Sequence, residues 1–328
     1  MSAPGPLEFE VVDVFTDRPF AGNPLAVVLG AEGLSTAQLQ VLAAEFALSE
    51  TAFPLAASEA ERARGVDYRL RIFTPGTELP FAGHPSVGTA WLLAARGEVA
   101  PGRVVQACAA GDMPLEVSPD LGPVRLTGGT PTWRGDVDPA PLLAAVGLPS
   151  VELDGRLVGT GAGTGAALAG TGVEQVHLFV RPEALAVLRP EPAALAALPG
   201  RVPVGATALA GLLVVGWEGG AGTPASPARA RVRMFGTGIG VAEDPATGSA
   251  ALGLGVSAVA AGLLPGEGAS ELVVSQGVEM GRPSTLHVRV RASGGRATSV
   301  SVEGGAVRIS SGRIAVPPGA TGPVGVAS

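Results

Sequence analysis

The strongest constraint on how this chain can fold is that it writes one unit twice. "RLRIFTPGTELPFAGHPSVGTAWLLAARG", from Arg69 to Gly97, is answered by "RVRMFGTGIGVAEDPATGSAALGLGVSAVAAG", from Arg231 to Gly262. Arg69, Arg71 and Phe73 correspond to Arg231, Arg233 and Phe235, and fourteen steps separate Gly83 from Gly97 as they do Gly248 from Gly262. Each copy reads as an alternating strand, a glycine-containing turn and an apolar helix stopped by glycine. Two long copies do not make a solenoid, which needs several short ones. They predict two similar lobes with a cleft between them, a preferred place for a small molecule.

The rest of the chain supports that division. "LEFEVVDVF" and "LAVVLG" read as strands around an "AGNP" turn. "STAQLQVLAAEF" reads as a helix, with Ser35 and Gln38 forming a capping box and Leu39, Leu42 and Phe46 on one face. "ETAFPLA" is extended, and Pro85 lies in the first turn of the helix that Gly97 ends. The second half follows a similar order: strand "GPVRLTGG", a short helix capped by Asp138 with Pro139 first, strand "GVEQVHLFV", helix "EPAALAALPG" in the place of "STAQLQ", then "ALAGLLVVGW" and "RARVRMF". "ELVVSQGVEMG", "STLHVRVRA" and "GAVRISSGRIAV" add strands, and the tail after Pro317 reads as loose. "VGTGAGTGAALAGTG" contains a G-x-G-x-x-A run but follows no convincing βαβ strand, and reads as a flexible loop. Strands in blocks with few helices indicate an α+β fold with mostly antiparallel pairing. The lobes are expected at residues 1–122 and 123–302, with a final strand near 303–317 returning to the first.

Composition narrows the chemistry. All 22 basic residues are Arg, and without Lys neither a pyridoxal-phosphate Schiff base nor a P-loop can be built. The net charge of −7 argues against nucleic acid and anionic membranes as partners. One cysteine, Cys108, allows no internal disulfide and suits a reducing compartment. The N-terminus lacks the features of a signal peptide, and no apolar run reaches the ~20 residues needed to span a bilayer. A cytoplasmic protein is expected.

The two turns, "FAGHPSVG" and "EDPATGSAA", each open an apolar helix, and two helix N-termini facing one cleft would hold an anion or a developing oxyanion. The alternative is ordinary capping, made less economical by the duplication. His84 sits at the first turn, whereas His177 and His287 lie in alternating strands. Three scattered histidines offer no metal-ligand spacing. Glu50, in the apolar stretch "ALSETAFP", needs a partner or a raised pKa if buried. The matching stretch "ALAGLLVV" has no acid, although a solvated loop glutamate would read the same way.

Taken together and in order, "AGNPLAVV", "LSETAF", "FAGHPSVGTA", "EDPATGSAA" and "QGVEMGRPS" resemble the PhzF-like proteins, named for the phenazine-biosynthesis isomerase and related in fold to diaminopimelate epimerase. The resemblance runs from about Phe9 to Ile314. It implies two pseudo-symmetric lobes, each a rolled, mostly antiparallel sheet around a central helix, the two helix N-termini meeting at the active site. It further implies Glu50 as acid/base, His84 and Asp244 lining the site, and Asn23, Ser49, Gly83, Gly248 and Ser249 contacting substrate. The epimerase relatives carry a cysteine at each turn. Here Ala82 and Thr247 stand there, and Cys108 matches neither, so two-thiol racemisation is excluded.

The expected activity is cofactor- and metal-independent isomerisation, a proton moved within a small carboxylate-bearing substrate. The family's defining substrate is a dihydro-hydroxyanthranilate, but nothing in the residues identifies a ring. The competing readings are a non-catalytic small-anion-binding protein on the same scaffold and an amino-acid epimerase using one carboxylate with His84. Besides the substrate, the expected partner is at most a second copy, as a homodimer.

Overall fold

A computed structural model describes residues 5–156, 163–202, 209–237 and 242–318. The first half contains β1 (Leu7–Val14), β2 (Asn23–Leu29), α1 (Thr36–Phe46), β3 (Glu50–Ala56), α2 (Glu59–Ala63), β4 (Tyr68–Phe73), β5 (Glu78–Leu79), α3 (Gly83–Ala95), β6 (Gly102–Cys108), β7 (Gly111–Val117) and β8 (Val124–Thr127). The second contains β9 (Thr132–Asp136), α4 (Ala140–Ala145), β10 (Ala166–Gly170), β11 (Glu174–Val180), α5 (Pro192–Ala197), β12 (Gly211–Gly219), β13 (Ala228–Gly236), α6 (Gly248–Ala260), β14 (Gly268–Gln276), β15 (Ser284–Ser293) and β16 (Arg296–Gly304). A last strand, β17 (Ala306–Ile314), closes the described chain.

The duplication holds strand by strand. In the first half β1–β2 is antiparallel, β2–β3 parallel, β3–β4 antiparallel, β4–β6 parallel, and β6–β7 and β7–β8 antiparallel. The second half repeats those senses with β10, β11, β12, β13, β14, β15 and β16. Each series gains an antiparallel edge, β17 on β1 and β9 on β10, and β8 pairs with β16 to join the halves. The fold is thus α+β, two pseudo-symmetric rolled sheets, each wrapped on one helix.

Those helices, α3 and α6, are thirteen residues each and apolar on every side. Only Trp91 and Ala95 of α3, and only Ser249 and Ala260 of α6, escape burial, as expected for helices inside a sheet rather than upon it. Both carry glycine six residues in. A Cβ on Gly88 would come within 2.6 Å of Val14 Cγ2, and one on Gly253 within 3.0 Å of His177 Cε1, so glycine is what lets sheet and helix close on each other.

The repeated Arg-x-Arg-x-Phe run has a duplicated environment. Arg71 lies over Phe73 at 5.1 Å and pairs with Glu78, and Arg233 lies over Phe235 at 5.2 Å and pairs with Glu243. Ile72 pairs with Leu79 in one half where Met234 bridges Asp244 in the other. Those registers make Leu79 the counterpart of Asp244. Likewise Thr51 faces Phe73 as Leu212 faces Phe235, which makes Gly211 the counterpart of Glu50.

The helix at Thr36 forms as expected, with the Ser35–Gln38 capping box in place. Gly97 ends α3 at φ +74°, where glycine avoids the strain a side chain would meet. Some expectations need correction. The short helix begins at Ala140, with Asp138 Oδ1 accepting from the Ala140 N–H and Pro139 just outside. In the glycine-rich segment, residues 157–162 lie outside the described residues, but Ala166–Gly170 is a fully buried strand rather than a loop. Its residues are small because α6 presses on it: a Cβ on Gly253 would meet Ala169 O at 3.1 Å. Small residues blur the alternation that marks a strand. The strands β6, β7, β9 and β16 were not legible individually. The tail beyond residue 318 lies outside the described residues. No described helix is long and apolar enough to cross a membrane.

Candidate active site

The two central helices meet head to head. A Cβ on Gly83 would touch Gly248 Cα and Ser249 N at 3.5 Å, which places the two N-termini in near contact. Neither is capped by a side chain. Ala82 has nothing to cap with, and the Thr247 hydroxyl is turned instead to Asp244 Oδ2. First-turn N–H groups on both helices are therefore left for a ligand, at the positive ends of two helix dipoles. Over them lies a cavity of about 440 Å³ lined by Glu50, His84, Gln175, Asp244 and Ser249, with Leu79, Phe81, Val173 and Met234 among its apolar wall. A larger open groove, about 800 Å³, runs past Arg18, His287 and Glu303 and contains none of Asn23, Ser49, Glu50, Gly83, His84, Asp244, Gly248 and Ser249.

Both halves supply polar side chains. Asn23, fully buried at the start of β2, directs its amide nitrogen to Asp244 Oδ1 at 2.9 Å, Ala246 O at 3.0 Å and His84 Nδ1 at 3.3 Å. It is the joint between the halves. Ser49 Oγ donates to Asp244 Oδ1 at 3.3 Å. Glu50 Oε2 lies 3.4 Å from His84 Nδ1 without an aligned hydrogen bond. From β14, Gln276 Nε2 donates to Asp244 O at 2.6 Å and to Thr247 Oγ1 at 3.0 Å, and its Oε1 accepts from Thr247 N at 3.1 Å. From β11, Gln175 Nε2 donates to Ser249 Oγ at 3.0 Å.

The two acids differ in their surroundings. Burial, and then the Asp244 carboxylate, push the Glu50 pKa well above the usual carboxylate range. Burial also raises Asp244, but hydrogen bonds from Thr247, Asn23 and Ser49 oppose it. Glu50, which has no such donors, therefore gives up its proton last. Burial pushes His84 down to about 3, so its ring is neutral. Its Nδ1 faces the Asn23 amide, and its Nε2 has no partner.

All the residues singled out in the sequence thus converge: Asn23, Ser49, Glu50, Gly83, His84, Asp244, Gly248 and Ser249. The other two histidines do not. His177 is buried in β11 against Ser257 Oγ at 2.7 Å, and His287 is exposed on β15. Cys108 lies in the β6–β7 hairpin, away from the cavity. Sequence reading missed Gln175 and Gln276. Gln276 is a polar residue at an inward-facing position of an alternating strand, which was the available signal, whereas Gln175 shares its face of the fully buried β11 with His177. Among the described residues no group of three or more His, Cys, Asp or Glu is arranged to hold a metal ion.

Comparison with known proteins agrees with this fold. Residues 12–312 match the family model for phenazine biosynthesis-like proteins. The chain is 34% identical over 311 residues to the trans-2,3-dihydro-3-hydroxyanthranilate isomerase of Pseudomonas aeruginosa, covering 93% of this chain and 98% of that one. In structure it resembles a PhzF-family phenazine biosynthesis protein of Bacillus anthracis, with TM-score 0.77, 23% identity and coverage of 95% and 99%. A hydroxyproline epimerase of Agrobacterium vitis shares the fold at TM-score 0.60 and 14% identity, with coverage of 96% and 94%.

Proposed function

This chain belongs to the phenazine biosynthesis-like protein family, and from that premise we propose that it is an isomerase in which Glu50 moves a proton between two carbons of one small carboxylate. The observation that carries the reading is the one-sidedness of the acid. Glu50 lines the cavity, and its counterpart in the second half is Gly211, which has no side chain. Nothing larger fits there, since a Cβ would lie 2.6 Å from Phe235 O. Inversion of a stereocentre by two bases needs one on each face. Here His84, 3.4 Å from Glu50, stands on the same side. Asp244, the cavity's other acid, is tied at Oδ1 by Asn23 and Ser49 and at Oδ2 by Thr247, which leaves Glu50 to take the proton and give it back.

The substrate carboxylate is held by the free N–H groups of α3 and α6, which also stabilise negative charge developing on it. Ionised Glu50 removes a proton from an activated carbon. The C–H electron pair enters the conjugated system, and the new Glu50 acid protonates a second carbon. One C–H bond breaks and one forms, Glu50 returns to its starting state, and no oxidant or cofactor is required. His84 offers Nε2–H to the substrate, while Asn23 and Asp244 fix its ring and set the affinity of Glu50 for the proton. A simple anion-binding protein would have no use for a carboxylic acid buried beside its anion.

The test is proton NMR in D₂O with trans-2,3-dihydro-3-hydroxyanthranilate, the compound in the Pseudomonas aeruginosa relative's name, as the first candidate. A shifted double bond with deuterium at the newly protonated carbon is the expected result. Return of that compound and a panel of related unsaturated carboxylates without bond migration or deuterium would leave the anion-binding reading.

A further inference from the structure

Gln175 breaks the repeat at the cavity wall. Leu25 faces Glu50 across the β2–β3 pair, and the matching register of β11 on β12 puts Gln175 in the place of Leu25. An apolar side chain is thus what the scaffold accepts there. Gln175 is 1% exposed, and burying an amide costs free energy unless its atoms are paired. One end is paired, with Nε2 donating to Ser249 Oγ at 3.0 Å. The other, Oε1, has no partner, in a side chain that lines the same cavity as Glu50. Holding Ser249 alone would explain a hydrogen-bond donor, but not a buried acceptor left empty beside a ligand site.

We propose that Gln175 is the specificity-determining residue of the site, its Oε1 accepting a hydrogen bond from an amino or hydroxyl group adjacent to the substrate carboxylate. The adjacency follows from Ser249. Its hydroxyl accepts from Gln175 and sits in the first turn of α6, so its own hydrogen is directed to the carboxylate held by that turn. A group reaching Gln175 Oε1 then lies within a bond or two of the carboxylate. The first half has no equivalent, because Leu25 cannot accept. The substrate is therefore read on the second half and deprotonated from the first. This assignment rests on the isomerase reading only in that the cavity takes a carboxylate.

The test is calorimetric binding of 2-aminobenzoate and 2-methylbenzoate, which differ in whether the group beside the carboxylate donates. The wild type should prefer 2-aminobenzoate by about tenfold or more. Gln175→Leu, which writes the first half's residue into the second, should weaken 2-aminobenzoate more than 2-methylbenzoate and so reduce that preference to within about twofold. Gln175→Glu, which keeps an acceptor, should retain the preference. Gln175→Met replaces the leucine variant if that one fails to fold. An undiminished preference in the leucine or methionine variant overturns the assignment. So does a parallel loss for both ligands, the mark of mere support for Ser249, and so does failure of the wild type to bind 2-aminobenzoate. None of these readings needs turnover, so absence of proton transfer would count against the isomerase proposal and leave this one standing.

Discussion

Glu50 and Gly211 occupy the same position in the two halves of the molecule, one residue before the strand pairings Thr51–Phe73 and Leu212–Phe235. One is an acid lining the cavity and the other cannot carry a side chain without displacing Met234 Cε, 2.3 Å from its would-be Cβ, and the Phe235 carbonyl. The scaffold is duplicated but the chemistry is not.

Glu50→Gln should therefore fold and fail to catalyse. The amide keeps the shape but cannot accept and return a proton, so kcat is expected to fall about 100-fold or more with little change in substrate affinity. Full activity in a folded variant would remove Glu50 from the mechanism. His84→Asn and Asp244→Asn, acting through orientation and charge, should lose less.

The pH dependence of stability follows from the same groups. Folded Glu50 keeps its proton above its ordinary value of 4.5, where the unfolded chain releases it, so stability falls as pH rises from there toward its raised pKa. Folded His84 stays neutral between its ordinary 6.5 and about 3, so its contribution is lost as pH falls through that window. Glu50→Gln should remove only the first loss. Its Tm should exceed that of the wild type at pH 8, with the difference vanishing near pH 4, as thermal melts across pH would show.

For catalysis the sign is the opposite. The base is ionised Glu50, so kcat/KM should rise with pH well above the range of an ordinary carboxylate. Asp244→Asn removes the neighbouring charge and should shift that rising limb to lower pH. A limb that stays in place in Asp244→Asn would show that another group is being titrated.

Gly211→Ala tests the one-sidedness directly. The added methyl must displace Met234 and meet a backbone oxygen, with an expected loss of about 1–3 kcal/mol in a denaturant melt. An unchanged melt would mean that the second half could have carried a side chain at this position.

Activity should also survive a chelator. Loss in EDTA with recovery on adding a divalent metal would contradict an acid–base mechanism built on Glu50.

The sequence by itself determined the duplication, because strand alternation, turn glycines and all-apolar helices are local patterns that survive being read twice. It also marked Glu50, an acid in an apolar stretch, and His84, at a helix-opening turn, while Asp244 was marked by the resemblance of its motif to the family's. It could not show β10, whose small residues are dictated by the closeness of α6, a contact between segments about 80 residues apart. Nor could it rank the two acids. Which of Glu50 and Asp244 keeps its proton depends on donors from Asn23, Ser49 and Thr247, spread over more than 200 positions and gathered only when the halves close. Burial and hydrogen bonding set a pKa, and both are properties of the assembled cavity rather than of any segment that lines it.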